Sequence, residues 1–404
     1  MKKIITLIFL VYIKIYSYTF IPMDLTQTDH LKSYGIVYRA LENGVNVYWL
    51  LNYRGGSFIL MSDNFEQDCL KEGVLFSNIS EDKKNYLLSE TEKSVLLEKA
   101  PKLAVYSPPG KEPWDDAVTL VLDYAKIPYD VIYDKEILSG KIYEYEWVHL
   151  HHEDFTGQLD RFYISSFYEE WFQNLLKMQK KLSSDLGYDK YWKMKRDVAK
   201  QIKNYVQRGG FLFAMCSATN SIDDALVLGY QDIIPSLLDG DGTTSPQLDY
   251  SQSMAFENFT LNDKPTIELD DINYEPLNKL EWENKYFKLK KYSPKFDLVE
   301  AMLTQNHTDN IKEFLGRTTS FDKRKIKKNV VILADSYDKN YAKYIHGFLG
   351  EGFFTFFAGH DPEDYVHYVN DPPTELSYFK NSPGYRLILN NVLFPASQEK
   401  KKKT

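Results

Sequence analysis

Gly209-Gly210-Phe211-Leu212-Phe213-Ala214-Met215-Cys216-Ser217-Ala218-Thr219 is the stretch that decides how this chain is read. An apolar strand ends, a cysteine stands at the turn, and small residues flank it two positions before (Ala214) and two after (Ala218). That is the steric requirement of a nucleophile elbow, where the turn is so sharp that only small side chains fit beside the nucleophile. Far along the chain, Phe357-Ala358-Gly359-His360-Asp361-Pro362-Glu363 can supply a base. Cysteine with histidine points to covalent chemistry, with Cys216 attacking, His360 moving the proton, and Asp361 or Glu363 orienting the imidazole.

Outward from this stretch the pattern is strand and helix in turn. Phe20 to Met23 reads as a strand, His30 to Leu41 as a helix, and Val45 to Leu51 with Ser57 to Met61 as a hairpin turned at Gly55-Gly56. Asn64 to Glu72 and Glu81 to Glu92 read as helices. Lys102 to Ser107 is a buried strand, Trp114 to Ala125 a helix, and Tyr129 to Tyr133 and Trp147 to His151 further strands. The alternation predicts an α/β fold, a doubly wound and mostly parallel sheet. Ligands of such sheets bind beyond the carboxyl ends of the strands. His152, Glu153 and Asp154 fall at such an end, with His149 and His151 on one face of the strand before them. His151, His152, Glu153 and Ser217 are therefore candidate substrate-binding residues. Asp24 and His30, at the end of the first strand, are candidates for a second cleft, although a helix N-terminus also accounts for polar residues there. His149, His151 and His152 are weak candidates for a divalent metal; no cofactor is otherwise expected.

Phe162 to Val206 reads as two long helices, a helical insertion at 160–206. The rhythm is lost in an irregular and β insertion at 239–325, where Phe259 to Leu269 and Tyr286 to Lys291 read as strands. Asp239-Gly240-Asp241-Gly242 lacks the later ligands of a calcium loop and reads as turn chemistry. Val330 to Ala334 and Phe353 to Phe357 return to the sheet.

The formal charge of -8 and the lack of a basic, aromatic-laced stripe exclude nucleic acid as an expected partner. Lys400 to Lys403 form a basic tail, read as solvated. At the other end, Lys2 and Lys3 precede an apolar run from Ile4 to Ile13, and Ser17 is a candidate cleavage position. The run is shorter than the about 20 residues of a spanning helix and fits a secretory h-region. The expectation is export to the periplasm or cell envelope, with no transmembrane span. Export permits a disulfide, and a bridge between the two cysteines, Cys69 and Cys216, stays open at this stage.

Lys102 to Leu150 followed by Gly209 to Ala218 resembles the class I glutamine amidotransferase fold, of flavodoxin-like type. Gly352 to Glu363 and Tyr385-Arg386-Leu387-Ile388-Leu389-Asn390-Asn391 resemble the closing strand, Gly-His loop and final helix of its trehalose-utilisation, ThuA-like branch. The whole chain is similar to an uncharacterised set of exported bacterial proteins. The stretches shared with them are Ile21 to His30, Leu51 to Ser57, Pro113-Trp114-Asp115-Asp116-Ala117 and His149 to Gln158. Some of those proteins carry the label asparagine synthetase B. The residues exclude that activity as a reading: no cysteine lies near the N-terminus, and Arg54-Gly55-Gly56-Ser57 is not an ATP pyrophosphate loop. The expected organisation is a signal peptide at 1–17, an N-terminal α/β subdomain at 18–100, a domain at 101–395 that the resemblance makes amidotransferase-like, and a basic tail at 396–404. From the family pattern, Gly-x-Cys-x-Gly has become Ala214-x-Cys216-x-Ala218, and the carboxylate after His360 is one residue further away. His152-Glu153-Asp154 occupies the place of the oxyanion glycines. Two function classes follow. One is a hydrolase-like enzyme using Cys216 and His360. The other is a non-catalytic envelope protein that binds a small molecule, carbohydrate, peptide or protein through the same cleft.

Overall fold

The computed structural model describes residues 17–110, 115–158, 166–262, 269–273, 284–316, 318–364, 370 and 372–397. The proposed signal run and the basic tail lie outside the described residues; Ser17 is the first residue of a strand. No helix among the described residues is long and apolar enough to cross a membrane.

Residues 17–97 build one antiparallel sheet from β1 (Ser17–Ile21), β2 (Val47–Leu51), β3 (Ser57–Leu60), β4 (Ser77–Ser80) and β5 (Lys93–Leu97), in the order β4-β1-β3-β2-β5. Between them run α1 (His30–Glu42), α2 (Glu66–Glu72) and α3 (Glu81–Glu90). Asp29 caps α1 by accepting from the Lys32 N–H, which settles one of the N–H groups that a helix start leaves without a partner. The hairpin between β2 and β3 turns at Gly55 and Gly56, both at positive φ. A Cβ on Gly55 would stand 2.3 Å from the Met23 carbonyl oxygen, so only glycine lets this turn lie against β1.

Among the described residues the second sheet has ten strands. Its first half alternates β6 (Leu103–Tyr106), α4 (Ala117–Ala125), β7 (Asp130–Ile132), α5 (Asp134–Leu138), β8 (Trp147–Leu150), α6 (Glu170–Asp185), α7 (Tyr191–Gln207), β9 (Phe211–Met215) and α8 (Ala218–Leu228). After the short α9 (Ser236–Asp239) come β10 (Tyr286–Leu289), α10 (Leu298–Leu303), β11 (Asn310–Lys312), β12 (Phe321–Asp322), β13 (Val331–Asp335), β14 (Tyr341–Leu349), β15 (Gly352–Phe357) and α11 (Pro383–Leu393). The order is β11-β10-β13-β14-β15-β9-β8-β6-β7, with β12 on β14. From β15 to β7 every pairing is parallel; from β11 to β15 every pairing is antiparallel.

The protein is therefore α/β with a mixed sheet, and this corrects the expectation of a mostly parallel one. The reason is local. β13, β14 and β15 are joined by connections too short for a crossover helix, so they must run antiparallel. β14 escapes the sequence pattern because Lys343 and His346 are buried inside it. Phe259 to Leu269 was expected as a strand. Its described residues give only an isolated bridge from Leu261 to Asp270, with the Thr260 N–H donating to the Asp271 carboxylate instead of to a ladder.

β9 is apolar throughout because both of its faces are covered. Phe211, Phe213 and Met215 pack into a core shared with α1, α4, α11 and the N-terminal sheet. Leu212 and Ala214 pack on the other side with residues of α7 and α8.

Candidate functional site

Cys216 lies between β9 and α8 with φ 47°, in the left-handed region that a non-glycine residue rarely enters. Such a conformation costs on the order of 1–3 kcal/mol and persists only where its surroundings hold it. Here the Cys216 N–H donates to the Gly359 carbonyl at 3.1 Å, tying the elbow to the exit of β15. The chain beyond β8 is strapped to α8. The Ala218 N–H donates to the His151 carbonyl at 2.9 Å, the Ser217 hydroxyl to the His152 carbonyl at 2.9 Å, and the Ser221 hydroxyl to the Glu153 carbonyl at 2.6 Å. Gly359 has φ 103°, and the His360 N–H donates to the Leu315 carbonyl at 2.8 Å. Gly316 packs so closely on this turn that a Cβ there would lie 2.8 Å from the His360 nitrogen.

These backbone ties bring four side chains from three elements together. One donor atom from each of His151, His152, Cys216 and His360 lies within 4.8 Å of the others. His360 Nδ1 is 3.1 Å from His151 Nε2. The His151 and His152 rings stack with centroids 3.9 Å apart, and His152 and His360 lie 4.9 Å apart. Cys216, His151 and His360 are 3%, 1% and 2% exposed, and His152 is half-buried.

Two aspartates that sequence reasoning did not single out anchor the cluster. Asp116 caps α4, accepting from the Val118 and Thr119 N–H groups at 2.7 and 3.2 Å. Its carboxylate also stands 3.1 Å from His151 Nδ1 and 3.3 Å from His149 Nε2. Burial opposes its ionisation, but His151 and His149 override burial and hold the carboxyl well below the usual range. His149 itself is pushed toward the neutral form by burial, against the pull of Asp116. The Asp115 carbonyl lies 3.1 Å from His152 Nε2, and its carboxylate 4.0 Å from His360 Nε2. Burial raises the Asp115 carboxyl, and the charge of Asp361 adds to it. The available signal was two acidic residues immediately before a helix that follows a buried strand, a position that places capping side chains at the carboxyl edge of the sheet.

The other candidates sit elsewhere. Glu153 turns to the buried Lys195 at 3.3 Å, beside Asp134 at 3.1 Å and the Tyr106 hydroxyl at 2.9 Å. Burial disfavours the Lys195 charge, but Asp134 and Glu153 overcome it and keep the ammonium charged. The two Asp361 oxygens accept from the Glu363 N–H at 2.8 Å and the Tyr385 hydroxyl at 2.6 Å. Burial, reinforced by Asp361, raises Glu363 to about 7. His30 and Asp24 belong to a structural junction. His30 Nδ1 lies 2.9 Å from Asn381 Oδ1 and Nε2 2.9 Å from the Met23 carbonyl; Asp24 pairs with Arg54 at 2.5 Å. Ser217 is spent on the His152 carbonyl. Of the metal candidates, His151 and His152 share a cluster with Cys216 and His360, whereas His149 reaches only the Asp116 side of His151. Cys69 and Cys216 are both free thiols, so no bridge disables the elbow. In the Asp239-to-Gly242 turn the cation is Lys190, whose Nζ lies 2.6 Å from the Asp241 carboxylate and 2.8 Å from the Asp239 carbonyl.

Two surface cavities, of about 760 and 420 Å³, are lined by other residues, the first including Lys203 and Tyr230 and the second Tyr38 and Tyr129. The cluster itself is mostly buried, with His152 half-buried at its edge. It can do two things chemically. It can pass a proton from the thiol along His360, His151 and Asp116, or it can gather three nitrogens and a sulfur about one ion.

No family model matches this sequence, and no curated protein matches it. Among solved structures, the chain is similar to the cytoplasmic protein STM3548 from Salmonella typhimurium, at 12% identity and TM-score 0.38, over 75% of this chain and 100% of that one. It is similar to the cytoplasmic protein STM1381 from Salmonella typhimurium LT2, at 12% identity and TM-score 0.35, over 73% and 99% of the two chains. A GH42 beta-galactosidase, Gan42B from G. stearothermophilus, matches at 9% identity and TM-score 0.30, over 65% of this chain and 28% of that one. Likenesses of this size carry no argument about activity.

Proposed function

We propose that the protein is an exported, hydrolase-like enzyme of amidotransferase-like fold, with Cys216 as nucleophile and His360 as its base. The observation that carries this reading is the left-handed Cys216 at the strand-to-helix turn, with His360 and His151 gathered beside it. The finer fold assignment is supported by the parallel strands, whose order β7-β6-β8-β9-β15 is the 2-1-3-4-5 order of flavodoxin-like sheets. Export is supported by the residues before Ser17 alone.

In this reading the thiol gives its proton to His360, which faces His151, itself oriented by Asp116. The thiolate adds to a carbonyl-type carbon of a small-molecule or carbohydrate-derived substrate. The leaving group departs with the proton from His360; water then cleaves the thioester, its hydroxyl joining the acyl carbon to give the acid while its proton passes through His360 to the Cys216 sulfur. Asp116 thus acts on His360 only through His151, and the carboxylate of Asp115, 4.0 Å from His360 Nε2, stands nearest the place that the sequence offered to Asp361 and Glu363.

Two observations favour the second reading, a non-catalytic binding protein. Cys216 is buried, and the loop where oxyanion donors would stand presents the carbonyls of His151, His152 and Glu153 to α8. Carbonyl oxygens there repel a developing negative charge, where an oxyanion hole needs N–H groups. Labelling with a small methylthiolating reagent across pH separates the two. The enzyme reading expects Cys216 to label at neutral pH at least tenfold faster than Cys69, and His360→Ala to remove that advantage. Equal, slow labelling of both thiols in wild type and variant would leave the binding protein as the better reading.

A further inference from the structure

We propose that His151, His152, His360 and Cys216 form a divalent transition-metal site, and that the ion it takes is zinc. It uses the same cluster as the hydrolase reading but does not depend on Cys216 attacking a substrate.

The donor set is the first reason. Three imidazole nitrogens and one thiolate are the ligands that select zinc over magnesium or calcium, which take oxygen. Geometry is the second. Bonds of ordinary zinc length place ligand atoms about 3.3 Å apart for nitrogen pairs and about 3.6 Å for nitrogen and sulfur in a tetrahedron. The four donors already lie within 4.8 Å of one another, and His360 Nδ1 and His151 Nε2 are 3.1 Å apart. Small rotations of side chains close the remainder.

The third reason is what stands behind the ligands. Metal-bound histidines place their outer nitrogen against a carboxylate or a backbone carbonyl, which fixes the tautomer and aims the ring. His151 and His152 have such a partner here, and His360 stands within ion-pair reach of one. His151 Nδ1 faces the Asp116 carboxylate at 3.1 Å, His152 Nε2 the Asp115 carbonyl at 3.1 Å, and His360 Nε2 the Asp115 carboxylate at 4.0 Å. That leaves His151 Nε2, His152 Nδ1 and His360 Nδ1 as the inner atoms. The ligands come from the end of β8, the elbow and the exit of β15, three places pinned to one another by backbone hydrogen bonds. The site is therefore built before an ion arrives.

Binding converts the Cys216 thiol and an aqueous zinc ion into a zinc-bound thiolate and one proton released to solvent. With four protein ligands the ion is closed to substrate, and coordination makes the thiolate a weaker nucleophile. Zinc occupancy would then slow the chemistry that the metal-free cluster performs.

The test uses the full chain, stripped with a chelator and titrated with cobalt(II), which reports tetrahedral thiolate ligation directly. One equivalent is expected to give visible bands of tetrahedral cobalt and a near-ultraviolet thiolate-to-cobalt charge-transfer band, both erased by zinc. Cys216→Ser should abolish the charge-transfer band while Cys69→Ser keeps it. His151→Ala should weaken zinc at least 100-fold, and Asp116→Asn about 10- to 100-fold. The wild-type spectrum decides even if a variant fails to fold: no charge-transfer band, or one that follows Cys69, overturns the site. Labelling of the metal-free protein is scored separately. Fast, His360-dependent labelling without cobalt binding would keep the hydrolase reading and overturn this one. Cobalt binding with slow labelling would do the reverse. If both hold, zinc should protect Cys216 from the reagent.

Discussion

At the scale of single residues, Cys216 carries both its chemistry and its strain. Its φ of 47° suits glycine, which pays no Cβ penalty in the left-handed region. Cys216→Gly should therefore be as stable as Cys216→Ala or up to about 1 kcal/mol more stable, although glycine usually loses that comparison. Urea unfolding of the two variants checks it; an alanine variant that is clearly the more stable would mean the turn is not left-handed in solution. The elbow was legible in the sequence because Ala214 and Ala218 flank Cys216 at the spacing that such a turn requires. The partners were not. Asp115 and Asp116 lie about 100 residues before Cys216 in the chain, and only the parallel pairing of β6, β8 and β9 sets their loop beside the elbow.

Among the elements, β14 shows why the antiparallel half of the sheet was hidden. Its Lys343 is fully buried, 2.5 Å from an equally buried Glu313, and it donates to the Phe314 and Thr319 carbonyls at 2.6 and 2.9 Å. Burial pulls the Lys343 ammonium down from its ordinary range, and Glu313 resists. A strand holding a lysine and a histidine at buried positions breaks the apolar alternation on which strand reading relies. Removing one charge leaves the other stranded, so Glu313→Gln should cost about 3–5 kcal/mol, while Glu313→Leu with Lys343→Met recovers most of it. Chemical denaturation of the single and double variants measures this. A double variant as unstable as the single would show that the pair's further hydrogen bonds outweigh its charges.

For the whole molecule, buried histidines outside the site couple stability to acid. His30 and His307 stack at 4.4 Å, with Arg386 Nη1 3.0 Å from His307 Nδ1, and His346 sits within β14. Burial, then the charge of Arg386, lowers His30 to about 4 and His307 to about 3; burial alone lowers His346 to about 4. Below pH 6.5 the unfolded chain takes up protons that the folded protein refuses, so stability is present above that pH and is lost as pH falls from about 6.5 toward 4 for His30 and His346 and toward 3 for His307. Each of these histidines contributes on the order of 3–5 kcal/mol at most to that loss. Glu363 acts in the opposite sense: raised to about 7, it withdraws stability as pH climbs from its ordinary value of 4.5 to about 7. Urea midpoints from pH 7 to pH 4 should fall steeply in wild type and less in His346→Leu; parallel curves would mean that His346 titrates normally. The sequence by itself determined the α/β rhythm, the elbow and the position of the Gly-His turn. Those follow from apolar periodicity and from steric limits that act within a few residues. The tertiary structure alone decided that the sheet is mixed, that Cys69 and Cys216 stay apart as free thiols, and that His151, His152, His360 and Cys216 converge with Asp115 and Asp116 behind them. Such convergence depends on which strands become neighbours, and pairing over long chain distances leaves no local mark on the residues that it brings together. What makes Cys216 a site, beyond a thiol at a turn, is therefore written in the packing of β8, β9 and β15.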